Sequence, residues 1–146
     1  MKKLFLLFSL LILFTVVHAQ SELFLVNGEA IRGYDAVSYF KDGKAVKGKK
    51  EFSISWNGAN WLFASKENKD AFVASPEKYA PQFGGYCAYG TADGHKAPTQ
   101  PDAWSIVDNK LYLNYNKEVQ VIWKKDQKEM IEKANKNWPE VKKQKD

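Results

Sequence analysis

A chain of 146 residues with 22 Lys and Arg against 17 Asp and Glu has the size of one domain with its own core. Its net charge of +5 is ordinary for a soluble domain and makes no case for nucleic acid. A single cysteine, Cys87, excludes an intrachain disulfide.

The first residues read as a secretory leader. Lys2 and Lys3 make a basic start, Leu4 to Val17 is apolar apart from Ser9 and Thr15, and Val17-His18-Ala19 ends on a small residue. The apolar run is shorter than the roughly 20 residues a spanning helix needs. Cleavage after Ala19 is therefore expected, leaving a domain over residues 20–146 and an exported protein, periplasmic or secreted, with no membrane span. Without Lys2 and Lys3 the remainder carries 20 basic and 17 acidic residues. His18 leaves with the leader, so Cys87 and His95 alone cannot build a four-ligand Cys/His zinc site. No Ser-His-Asp signature, phosphate loop or dinucleotide fingerprint is present.

Leu23 to Val26 reads as a short strand closed by the turn pair Asn27-Gly28. Asp35 is placed to cap a short helix over Ala36 to Phe40. Lys47 to Lys50 reads as a solvated basic loop. From Glu51 to Trp56 the residues alternate, with Phe52, Ile54 and Trp56 on the inward face. Asn57 to Asn60 turns the chain and Trp61 to Phe63 returns, a hairpin. Ser65 is the expected N-cap of a helix over Lys66 to Ala74, with Ala71, Phe72 and Val73 inward. Pro76 ends that helix and opens a single helical turn. The glycine-rich run Phe83 to Gly90 and a loop over Thr91 to Asp102 follow. A second hairpin pairs Ala103–Val107 with Leu111–Tyr115 around Asp108-Asn109. Val119, Ile122, Trp123, Met130, Ile131, Ala134 and Trp138 then recur at helical spacing, with Pro139 as the stop. The expected class is a small α+β domain with two β-hairpins, short helices and a C-terminal amphipathic helix.

Several blocks resemble the YHS-domain family. Gly33-Tyr34-Asp35-Ala36-Val37-Ser38-Tyr39-Phe40 is similar to its opening motif. Phe63-Ala64-Ser65, Asn68, Phe72 and Pro76-Glu77-Lys78-Tyr79-Ala80-Pro81 resemble its central block. Gly84-Gly85-Tyr86-Cys87-Ala88 and Leu111 to Tyr115 resemble its later ones. The resemblance covers roughly residues 30 to 138. It implies kinship with treble-clef-like metal-binding domains and occurrence beside copper-transporting ATPases and monooxygenases. Metal-associated relatives often have a pair of cysteines, whereas this chain has Cys87 alone.

Cys87 carries three readings: an inert buried thiol, a soft ligand for copper, zinc or iron, and a redox-active thiol at a helix N-terminus. His95 is either an exposed loop residue or, across a turn centred on Gly90, a partner folded back toward Cys87. Asp93, Asp102 or Tyr86 would then complete a mixed S/N/O site. Tyr34 and Asp35 read as core ring and helix cap on one view and, with Tyr86, as ligand contacts on the other. The leading expectation is an exported, non-enzymatic domain binding a metal ion or metal-containing ligand through Cys87 and His95. The alternatives are an envelope interaction module with an inert Cys87, and a thiol enzyme with His95 as base.

Overall fold

The structure is a computed structural model that describes residues 22–146. The expected leader, His18 and the new N-terminus at Gln20 lie outside the described residues.

Two short strands, β1 (Leu25–Val26) and β2 (Glu29–Ala30), form a tight hairpin around Asn27 and Gly28, both at positive φ. A 3-10 turn over Ile31–Gly33 leads to helix α1 (Ser38–Lys41). Strands β3 (Lys49–Trp56) and β4 (Ala59–Phe63) form the long hairpin. Its connection is the two-residue Asn57-Gly58, both at positive φ, so β4 begins two residues earlier than sequence alone placed it. β2 pairs parallel to β4 at Glu29 and Asn60, giving a four-stranded mixed sheet in the order β1-β2-β4-β3.

Helix α2 (Lys66–Ala74) starts where expected, the Ser65 side chain accepting from the Asn68 N–H at 3.2 Å. Helical turn α3 (Pro76–Tyr79) follows, then a 3-10 turn over Gln82–Gly85 and helix α4 (Ala88–Ala92). β5 (Trp104–Val107) and β6 (Lys110–Leu113) make the separate hairpin, its Asp108-Asn109 turn again at positive φ. The end is two helices, α5 (Lys117–Lys125) and α6 (Gln127–Val141), separated at Asp126. Among the described residues no helix is long and apolar enough to cross a membrane. The result is a small α+β domain of the expected class.

The core has two parts. Trp61, Phe63 and Phe72 stack between the sheet and α2, with ring centroids 4.8 Å (Trp61–Phe72) and 5.1 Å (Phe63–Phe72) apart. Phe83, Ala88, Tyr112, Trp123 and Ala134 pack where α4, α5 and α6 meet β6.

Four expectations are corrected. Phe52, Ile54 and Trp56 are half-buried, because β3 is an edge of the sheet and the core covers them from one side. Val73 is exposed, its helix presenting Phe72 and Ala71 instead. Lys49 and Lys50 belong to β3, and Lys47 is not merely solvated: its ammonium lies 5.0 Å from the centre of the Tyr34 ring and donates to the Arg32 carbonyl. The C-terminal stripe breaks at Asp126, leaves Ile122 outside, and runs past Pro139 to Val141. In that last turn a proline forgoes one backbone bond, while Val141 gains burial.

Phe72→Ala should cost about 3–5 kcal/mol, since the ring is wholly buried among aromatic neighbours. Ile54→Ala on the edge strand should cost no more than about 2 kcal/mol, the bottom of the range for buried positions. Urea midpoints of the two variants should separate clearly, and equal shifts would contradict the core assignment.

Candidate functional site

The glycine-rich run exists because the chain reverses over Phe83, Gly84 and Gly85, all at positive φ. A side chain at Gly84 would overlap the carbonyl of Glu22, and the Gly84 carbonyl accepts from the Phe24 N–H at 2.8 Å. The chain leaves this reversal extended, and Cys87 becomes the residue before α4. Its N–H donates to the Ala97 carbonyl at 2.9 Å, and its carbonyl accepts from the Thr91 N–H and hydroxyl. A parallel bridge to Leu113 ties it to β6.

The thiol is buried. Its Sγ accepts from the Tyr115 N–H at 3.2 Å and lies 3.6 Å from Asn114 Oδ1, which also accepts from the Tyr89 N–H. Burial pushes the thiol above its ordinary value, and the N–H groups of Gly90, Tyr115 and Tyr89 pull it down without overcoming burial. Cys87 is therefore a protonated thiol near neutral pH. Asn114 is also wholly buried, and its amide nitrogen has no hydrogen-bond partner.

His95 does fold back across Gly90. Its N–H donates to the Gly90 carbonyl at 2.9 Å. A side chain at Gly90 would lie 3.4 Å from His95 Nε2 and 3.2 Å from the Ala97 methyl, so the imidazole rests against that glycine. The ring is about half exposed, with Nδ1 3.7 Å from the Asp93 carboxylate. Cys87, Gly90 and His95 line one pocket of about 290 Å³, walled by Tyr89, Ala97, Tyr115 and Val119.

Of the residues expected to complete a metal site, Asp93 lies beside His95 on the exposed side. Asp102 pairs with Lys117 at 3.6 Å. Tyr86 turns away, its hydroxyl donating to the Asp146 carboxylate. Among the described residues no three His, Cys, Asp or Glu side chains group as metal ligands. A sulfur and a nitrogen alone do not make a closed three- or four-ligand centre.

Tyr34 and Asp35 lie elsewhere. The Tyr34 ring is half-buried under Lys47. Asp35 is fully buried and its carboxylate faces inward. Oδ1 accepts from the N–H groups of Val37 (2.8 Å) and Ser38 (3.2 Å). Oδ2 accepts from the Ala64 N–H (2.8 Å) and the Asn68 side chain (2.7 Å). Capping of α1 was readable in sequence, but the reach to Ala64 and Asn68 was not. Asn114 did carry a signal that sequence reading passed over: a polar residue closing the apolar run Leu111-Tyr112-Leu113.

Architecture and pocket together describe a small α+β domain with a pocket beside a buried thiol. Residues 37–83 match the family model of the YHS domain, and the chain carries a YHS domain over that stretch. The matched residues span α1, the β3–β4 hairpin, α2 and α3. They stop short of Cys87 and His95, so the pocket is built just beyond them. No curated protein and no solved structure matches the chain.

Asp35→Asn should turn an amide N–H toward the two donors that Oδ2 now satisfies, at about 1–3 kcal/mol for each one left unpaired. A fall in the urea midpoint with unchanged slope is the expected outcome, and no fall would show the carboxylate to be dispensable.

Alkaline pH should destabilise the fold. Burial raises Cys87 above 9.0, and it raises Tyr39, Tyr86 and Tyr112 above 10.0, the ordinary values of these groups. Above about pH 9 the unfolded chain ionises first and binds fewer protons than the folded one, so stability falls as pH rises. Denaturation from pH 7 to 10.5 should show this decline, shallower in Cys87→Ala. Parallel profiles for the two proteins would remove the thiol from the effect.

Proposed function

We propose that this is an exported binding domain, not an enzyme, whose small ligand seats against Cys87 and His95. The observation that carries the reading is that these two side chains, eight residues apart, line the same pocket. Its ligand is a soft metal ion that arrives with its own co-ligands. Thiol sulfur and imidazole nitrogen suit such an ion, and two protein donors leave its other positions to partners it brings. Export rests on the leader-like segment at residues 1–19. The protonated state of Cys87 speaks against a resting nucleophile, because thiolate is the attacking form.

The proton also gives the reading its test. A metal that bonds Cys87 must displace one proton, so affinity should rise about tenfold per pH unit across neutrality. Cu(I) competed against bicinchoninate is a suitable probe. Wild type should take up copper with that slope, Cys87→Ser should lose it, and His95→Ala should weaken it. The rival reading, an envelope docking module, draws on Val121 and Ile122, which lie exposed on α5. It expects Cys87→Ser to lose about 1–3 kcal/mol of stability, the cost of a poorly partnered buried hydroxyl. Copper uptake equal to wild type in that variant would overturn the proposal.

A further inference from the structure

A second site lies on the other side of the loop that carries His95. The Lys96 side chain is 5% exposed, and its ammonium donates to Asp146 Oδ1 at 3.0 Å and to the Gln144 carbonyl at 2.7 Å. Tyr86, itself buried, donates its hydroxyl to the same Asp146 oxygen. The Lys96 ammonium also stands 4.8 Å from the centre of the Tyr86 ring. Two donors, one of them charged, thus converge on one carboxylate oxygen, the arrangement of a charge-assisted anion site. A cavity of about 310 Å³ opens beside it, with apolar walls from Phe24, Leu25, Ala97 and Pro98.

The group filling this site is open to solvent on one side. Asp146 lies five residues beyond the end of α6, and its side chain is 64% exposed although Lys96 beneath it is covered. The tail is fastened further by Gln144 Nε2 donating to the Gly94 carbonyl at 2.9 Å, an exposed bond that water can replace. With the tail moved out, the Lys96 ammonium stands at the mouth of the cavity, where a carboxylate can pair with it by a charge-assisted hydrogen bond.

We propose that the Tyr86–Lys96 cavity is a binding site for a small carboxylate with an apolar body, and that Asp146 occupies it as an internal competitor. The carboxylate of the ligand takes the two donors now turned to Asp146, its body lies along Phe24, Leu25 and Pro98, and the tail moves out. This site is distinct from the Cys87–His95 pocket and stands whether or not that pocket binds metal.

The probe is 3-phenylpropionate, titrated calorimetrically into the full chain. In Asp146→Lys the tail is repelled from Lys96, and affinity should rise about tenfold over wild type, the gain for a tail that would fill the site about nine-tenths of the time. The neutral 3-phenylpropionamide should bind neither protein. Lys96→Met in the Asp146→Lys background should abolish binding, and Tyr86→Phe should weaken it should the methionine variant fail to fold. No binding to either protein, equal affinity in wild type and Asp146→Lys, or equal binding of the amide would overturn the proposal.

Discussion

The buried carboxylate of Asp35 is the constraint on which this domain is assembled. A polar group removed from water is tolerated where hydrogen bonds replace its hydration. Here the replacements come from three separate places: the backbone entering α1, the residue after β4, and the side chain of Asn68 in α2. Each of those elements gives up a donor that would otherwise need water, and together they fix how α1 and α2 sit on the end of the sheet. The aromatic layer of Trp61, Phe63 and Phe72 forms against that frame. The same carboxylate that stops one short helix from fraying thus sets the geometry of the family-matched segment.

At the thiol of Cys87, burial and hydrogen bonding pull against each other. Three backbone N–H groups favour its ionised form, yet burial outweighs them and the proton stays. Asp35 is met differently, by donors that include a side chain and that reach both of its oxygens. Sulfur is larger and softer, accepts weaker hydrogen bonds, and loses more on leaving water than short-range donors return. A neutral thiol beside an unsatisfied amide of Asn114 is accordingly a quiet group at rest, and a partner that removes its proton changes its character.

What could be read beforehand was local. Asn57-Gly58 and Asp108-Asn109 announce hairpins because few residue pairs accept two positive φ values in succession. Ser65 announces α2 because its hydroxyl can reach the third N–H of the helix. The fold-back of His95 also follows from a glycine at position 90, against which an imidazole can lie. Burial along β3 was overestimated because alternation reveals a face but not whether the strand is central or at an edge. The helix break at Asp126 is not legible in the sequence because the apolar spacing continues across it. Asp146 meets Tyr86 and Lys96 from sixty and fifty residues away, and no local pattern marks such a meeting.

The loop from His95 to Pro98 is a thin partition. His95 borders the pocket of Cys87, Lys96 and Pro98 border the cavity of Tyr86, and Ala97 borders both. Genetic change there is shared property. A larger residue at position 97 would narrow both chambers at once, so one pocket cannot be reshaped through that position without altering the other. The partition therefore couples the histories of the two chambers at position 97, while positions 95 and 96 leave each side some freedom to diverge.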